Sequence, residues 1–490
     1  MKHLKNIIRS GVFLAILVSS LLAINSILTP KFNFRNSIWP TTSTYKQFYE
    51  MDRDSVDVLF IGSSVVINAF IPQEIYNEYG IRSYNLGSEQ QSIFLSYYWL
   101  KEALRFQKPQ AVVLDLKFMG NSHPENPINT VETLQRKCLD PMKWSSVKRE
   151  AVHKLCELDQ AQSELSYYLT NIRFHSRWTG VQEYDFGDEM MDSSSLMGYA
   201  PMTADGPASY TTYEQKDPTV TTEFVPLMQE YLDLIVELCK ENDIRLMLVD
   251  LPGNEMNDAI NNARAAYAEK NGIEYYNLCS TEYYNRIGAV LPQENVVSHE
   301  NIWGAIKTSR FVGGILAGQY GIGPVSDEQY EAAREYYEQT KISSDLVRST
   351  DQAEYLQALN NPNYAVFMAA HGNTSSVFQN EVVVAGLGEL GLTCAFADAP
   401  ADSYVAAIVG GEVYEEESAA EQIEVIGSFR NRHSVYNLRS NSMSSVAYSS
   451  LYIEGVQYTR SVTGLNIAVY DLNTCKVIDR VTFQGASLLR

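Results

Sequence analysis

Apolar residues in this chain fall into short blocks that stop abruptly at small or polar residues, and the spacing of those blocks predicts alternating strands and helices across its middle. Val56 to Ile61 reads as a buried strand that ends at Gly62-Ser63-Ser64. A short strand around Tyr84-Asn85, a helix through Ser92 to Phe106 and a strand from Ala111 to Leu116 follow. After an interruption the rhythm resumes with a helix at Glu223 to Asn242, the strand Arg245 to Asp250 closed by Pro252, and a helix at Asn257 to Asn271. The strand Ile273 to Asn277 and a helix from Trp303 to Gln319 complete it. Strand and helix in alternation predict βαβ units, so the expected fold is α/β: a doubly wound, parallel, five-stranded flavodoxin-like domain over residues 31–325, its ordered part running from Val56 to near Gly323.

Residues 121–217 break this rhythm. They are rich in Ser, Tyr, Met and Asp and helical in part from Trp144 to Asn171, the character of an insertion that forms a lid or substrate wall. Residues 326–362 read as a charged helical connector. From Tyr364 the pattern turns to short alternating runs punctuated by glycine: Tyr364 to Ala370, Tyr404 to Val409, Glu412 to Tyr414, Gln422 to Ile426, Ser449 to Ile453, Leu465 to Tyr470 and Val477 to Phe483. This predicts a compact, mainly antiparallel β domain over residues 363–490, with room for one helix.

At the N-terminus Ser10 to Pro30 carry no charge, and as a helix they span about 30 Å, the thickness of a bilayer core. Lys2, Lys5 and Arg9 precede the run, so the positive-inside rule leaves the N-terminus in the cytoplasm and everything after Lys31 outside. The expectation is a single-pass anchor over residues 1–30, with the lipid bilayer as partner and the bulk of the chain extracytoplasmic. The alternative is a cleaved signal peptide, since Ser19, Ser20 and Ala23 are small enough to lie near a processing site.

Composition narrows the function. The chain has 490 residues and a formal charge of −21, which argues against nucleic acid, because phosphate backbones need clustered Lys and Arg. Cys138, Cys156, Cys239, Cys279, Cys394 and Cys475 show no CxxC pair, so neither a zinc site nor a redox motif is signalled, and no cofactor is implied. Cys394 and Cys475 are candidates for a bridge if the chain is exported, and free buried thiols are the alternative.

A serine at the carboxyl edge of a parallel sheet, on a tight turn, is placed for nucleophilic chemistry if a histidine reaches it. Ser64 is that serine and His299, just before the last helix, is that histidine. The backbone N–H groups of Ser64 and Gly87 are candidate oxyanion donors. Asp115 and Asp250 end apolar strands on the same edge, where a carboxylate serves either as the acid of a triad or as a cap for a neighbouring helix.

At these residues the chain resembles the SGNH/GDSL hydrolase superfamily. Gly62-Ser63-Ser64-Val65 is similar to its first block, Gly87 to its second, and His299 with Asn301 and Gly304 to the His-x-Asn-x-x-Gly pattern of its cell-envelope members. The resemblance covers Val56 to about Gly323. It implies Ser64 and His299 as catalytic residues and Gly87 as an oxyanion donor, with Asn121, after Gly120, the nearest equivalent of the third-block donor. The segment Arg173-Phe174-His175-Ser176-Arg177-Trp178 also looks like a stretch of exported bacterial members, which makes His175, Arg177 and Trp178 candidate substrate ligands; a structural cluster is the alternative. Two departures stand out. Ser63 occupies a position where the family has Asp, and Val296 stands three residues before the histidine, where the family has the acid that fixes the imidazole. In serine proteases losing that acid costs about 10⁴ in rate. A Ser64/His299 dyad oriented by a backbone carbonyl or Glu294, a degenerate site that binds without turnover, and a purely structural pair are the three readings left open.

Gly464-Leu465-Asn466-Ile467-Ala468-Val469-Tyr470-Asp471, with Cys475 to Phe483, Tyr404 to Glu412 and Ser450 to Tyr458, resembles the interleukin-like EMT inducer domain. That likeness implies a small β-sandwich and a role in sugar recognition. The 32 tyrosines suit stacking on sugar rings and equally suit half-buried strand positions. Taken together, the resemblances imply a membrane-tethered serine acyltransferase or esterase acting on O-acyl groups of a cell-surface glycan, with a membrane-bound O-acyltransferase as a plausible partner. A non-catalytic glycan-binding or assembly protein is the rival.

Overall fold

The computed structural model describes residues 2–29, 41–120, 125–181, 185–186, 196–203, 211–394, 403–418, 421–430, 434–441, 447–460 and 462–490. The chain divides into two units, Met1–Tyr337 and Glu338–Arg490, and the boundary falls inside the helix Glu328–Arg348.

In the first unit five parallel strands, β1 (Val58–Gly62), β2 (Ser83–Gly87), β3 (Ala111–Asp115), β4 (Arg245–Asp250) and β5 (Glu274–Asn277), form one sheet in the order β2-β1-β3-β4-β5. Side chains of a strand alternate between faces, and both faces here are covered, which is why these strands read as continuous apolar runs. Leu59, Ile61, Val112, Leu114 and Leu248 pack against Phe94, Leu95 and Trp99 of the helix Ile93–Ala103 and against the helix Pro226–Glu241. Val58, Phe60, Val113, Met247 and Val249 pack on the opposite side with Val66, Ile75, Val312 and Leu316. The helix Pro226–Glu241 buries Met228, Tyr231, Leu232, Ile235, Val236 and Cys239, the i, i+3, i+4, i+7 stripe of a helix with one wet face.

Ahead of Val56, where the expected ordered part begins, the chain already contains the helix Thr41–Phe48. Tyr45 and Phe48 are fully buried there, and Tyr45 stacks on Trp99 with ring centroids 4.0 Å apart. Eight residues carry too few apolar positions to show a helical period, so packing on the sheet's helices decides the conformation. The helix Lys2–Leu28 is long and apolar enough to cross a membrane, its most apolar 18-residue stretch having a mean hydropathy of 2.3.

The second unit holds two antiparallel sheets. Numbering on from β6 (Asn295–Val296) and β7 (His299–Glu300), a short hairpin of the first unit, β8 (Tyr364–His371), β9 (Ser403–Val409), β10 (Glu412–Ser418), β15 (Gly464–Asp471), β16 (Lys476–Gln484) and β17 (Ser487–Leu489) form a sheet in the order β10-β9-β8-β15-β16-β17. Four more, β11 (Ile423–Phe429), β12 (Ser434–Asn441), β13 (Tyr448–Ile453) and β14 (Val456–Gln457), form the second sheet. Val366, Met368, Ile467 and Val469 pack on Leu356, Val377, Val383 and Leu387 from three helices, Gln352–Leu359, Ser375–Phe378 and Glu381–Glu389. On the other face Phe367 meets Tyr436 and Phe429 of the four-stranded sheet, with centroids 4.9 and 5.4 Å apart. All six cysteines are free thiols.

Candidate active site

Strand β1 ends at Gly62, at φ +157°. A Cβ there would lie 2.7 Å from both Asp115 Cβ and Val66 Cγ2, so only glycine lets the end of β3 close on this turn. Ser63 follows with its Oγ donating to Asp115 Oδ2 at 3.2 Å. Ser64 then opens the helix Ser64–Ala69 and is half-buried, in a stretch whose neighbours are buried. The turn therefore points one hydroxyl inward to a carboxylate and leaves the next within reach of solvent.

His299 reaches Ser64 from the other end of the unit's sequence. Two short strands, β6 (Asn295–Val296) and β7 (His299–Glu300), pair antiparallel through a two-residue turn, Val297-Ser298, with Val297 at φ +51°. The hairpin is pinned on both sides: Asn295 Nδ2 donates to the His299 carbonyl at 3.2 Å, and Asn301 Nδ2 donates to the Gln293 carbonyl at 2.8 Å. Asn301 also caps the helix Ile302–Gly318 by accepting from the Gly304 N–H at 3.3 Å. Gly304 has no room for a side chain, because a Cβ would sit 2.6 Å from the Glu294 carbonyl oxygen. The His-x-Asn-x-x-Gly spacing is thus the signature of a hairpin running straight into a capped helix.

Ser64 Oγ and His299 Nε2 lie 2.9 Å apart, a hydrogen bond between residues 235 positions apart in sequence. The other ring nitrogen, Nδ1, lies 3.3 Å from Ser298 Oγ. Burial, and after it the Lys117 ammonium, hold the imidazole down at about 4, so the ring is neutral at physiological pH. Lys117 follows β3 and is itself lowered by burial, with Asp115, Cys279 and Glu255 partly opposing that. Next to His299, Glu300 is fully buried with Oε1 accepting from Thr308 Oγ1 at 2.8 Å, while Oε2 is buried without a hydrogen-bond partner among the described residues. Burial raises its carboxyl to about 8.

Gly87 is the register partner of Gly62, and a Cβ on it would lie 3.0 Å from the Gly62 carbonyl, so it borders the Ser64 turn at close approach. Asn121 lies outside the described residues. Glu294 is committed elsewhere: Oε1 is 2.6 Å from Lys307 Nζ and Oε2 accepts from the Val290 N–H at 2.7 Å. Asp115 and Asp250 belong to a buried polar chain in which Asn254 Nδ2 donates to both at 3.0 Å, while Arg264 and Tyr275 donate to Asp250. Burial raises Asp115 to about 6.

His175, Arg177 and Trp178 sit together on the insertion. His175 Nδ1 is 3.0 Å from the Ile172 carbonyl, Arg177 donates to the Leu28 carbonyl at 2.9 Å and to Asp185 at 3.0 Å, and Trp178 is exposed. Among the described residues no cluster of His, Cys, Asp and Glu gathers to hold a metal ion. Ser298 and Lys117 are the members of the neighbourhood that sequence reasoning missed. Their signals were slight: a hydroxyl beside the histidine, and a lone cation two residues past the strand-ending Asp115. No protein-family model matches this chain, and no curated protein matches it either.

Proposed function

We propose that this chain is a membrane-anchored, extracytoplasmic SGNH-type serine acyltransferase or esterase that moves O-acyl groups on a cell-surface polysaccharide. The observation that carries the reading is the 2.9 Å contact between Ser64 Oγ and His299 Nε2 at the carboxyl edge of a parallel sheet. The 2-1-3-4-5 strand order, reversing direction beside β1, is that of doubly wound folds that bind ligands at this edge.

In the proposed cycle the neutral imidazole takes the Ser64 proton at Nε2 while Nδ1–H donates to Ser298 Oγ. Ser64 Oγ attacks the acyl carbonyl carbon, and the N–H groups of Ser64 and Gly87 stabilise the resulting oxyanion. Collapse breaks the donor's ester C–O bond, and His299 returns the proton to the departing alcohol. An acceptor sugar hydroxyl, deprotonated by His299, then attacks the acyl-serine and releases Ser64; water in its place makes the reaction hydrolysis. Lys117 adds positive potential that favours an oxyanion and disfavours the imidazolium, two opposing effects on the same step.

Val296, opposite His299 in the hairpin, favours a second reading, a site that binds acylated glycan without turnover. The second unit, with its likeness to the interleukin-like EMT inducer domain, would serve glycan recognition in either case. Turnover of p-nitrophenyl acetate and of acylated glycan by the full chain in detergent, against Ser64→Ala and His299→Ala, separates the readings. Activity abolished in both variants supports the enzyme, and none in any of the three supports the binder.

A further inference from the structure

The candidate substrate ligands on the insertion have a different set of neighbours: the end of the N-terminal helix. The Asn171 N–H donates to Asn25 Oδ1 at 2.8 Å, Arg177 Nη1 donates to the Leu28 carbonyl at 2.9 Å, and the hydroxyls of Thr29 and Thr170 bond to each other. These bonds give the Asn25 side chain, an amide within the uncharged run of the helix, a partner, and they satisfy the Leu28 carbonyl at its end. They also fix the depth of the insertion. From Gly11 to Leu28 the helix covers about 27 Å, close to a full hydrocarbon core, so Leu28 marks the outer boundary of that core. Thr170, Asn171 and Arg177 are bonded at that level, and their sequence neighbours cannot be far from it.

Those neighbours are Leu169, Ile172 and Trp178, exposed by 43, 44 and 71% respectively. Phe186, beside the Asp185 that pairs with Arg177, is exposed by 68%. Apolar and aromatic side chains laid bare at the level where a membrane span ends match the composition of the bilayer interface, where Trp is favoured. We propose that the segment Leu169–Trp178 is a second membrane contact, seating Leu169, Ile172 and Trp178 in the interfacial zone of the leaflet in which the N-terminal helix ends. This rests on that helix being a retained anchor. It makes the insertion a fixed foot of the first unit on the bilayer, and it assigns Trp178 to lipid instead of to substrate.

The test uses the full chain in nanodiscs whose lipids are brominated at shallow acyl positions, with tryptophan emission compared against unbrominated discs. The wild-type chain is expected to be quenched, Trp178→Phe to lose most of that quenching, and Trp303→Phe, which removes a ring packed against the interior, to keep it. Intact mass of the protein isolated from its native membrane is measured alongside. An intact N-terminus with quenching unchanged by Trp178→Phe overturns the contact while leaving the anchor standing, and gives the patch to a protein partner. A mature chain that has lost the helix overturns the anchor and the contact together.

Discussion

Replacing Val296 by Asp tests the electrostatics of the site directly. Val296 and His299 are register partners, so their side chains leave the same face of the hairpin with Cβ atoms about 5 Å apart. A carboxylate at that distance from an imidazolium interacts by roughly 3 kcal/mol at an effective dielectric of about 20, and by half that where water screens the pair. Val296 is half-buried, which puts the expected gain between these values. At about 1.4 kcal/mol per pH unit, the His299 imidazole should rise by roughly 1–2 units from its value of about 4. In the proposed cycle an imidazolium forms as Ser64 loses its proton, and if that transfer limits turnover the same energy should raise kcat by roughly 10- to 100-fold, less than the full contribution of an orienting acid. NMR titration of the histidine ring protons measures the first quantity, with the His299 signal identified by its loss in His299→Asn among seven histidines. Hydrolysis of p-nitrophenyl acetate measures the second. An imidazole that titrates where it did before would refute the geometry, and a raised one with no gain in rate would refute the catalytic role of the pair.

Further outcomes follow from the same structure. Ser298→Ala removes the Nδ1 partner and should lower kcat by about 5- to 10-fold, the worth of one neutral hydrogen bond, with KM unchanged in steady-state assays. Glu300 is raised above its unfolded value, so the native state holds a proton that the unfolded chain has released; stability should fall as pH rises from about 4.5 to about 8 and level off above that. Urea unfolding of wild type against Glu300→Gln, which keeps the shape and cannot ionise, should show that slope only in the wild type. Arg264→Met strips the fully buried Asp250 of its cation and should cost about 3–5 kcal/mol in the same measurement. Phe367→Ala opens the space between the two sheets of the second unit and should cost about 3–5 kcal/mol.

The parallel sheet was legible because both of its faces are buried: β1, β3 and β4 are mostly runs of Val, Leu, Ile, Phe, Ala and Met that need no alternation to be recognised. Strand β12 was not, for the opposite reason. Its inward positions are Ser434, Tyr436, Leu438 and Ser440, while Val435 faces solvent, so alternation holds only from Tyr436 to Arg439 and is broken by the inward serines at either end, leaving a run too short to recognise. The inward Ser440 is satisfied by the Tyr404 N–H at 3.1 Å and the Ala370 carbonyl at 2.7 Å, contacts between residues far apart in sequence. The same limit applies at the site. Ser64 and His299 announce themselves through the turns they occupy, yet the hairpin that presents His299 has strands of two residues, too short for any periodicity. Lys117 acquires its importance only when β3 is laid beside β1.

The central claim is that Ser64 becomes acylated with His299 as its base. Brief exposure of the full chain to p-nitrophenyl acetate, acid quenching and peptide mass spectrometry should reveal one acetyl group on the peptide carrying Ser64, absent in Ser64→Ala and formed far more slowly in His299→Ala. Acetyl groups spread over surface lysines, with Ser64 unmodified and the variants indistinguishable from wild type, would contradict it.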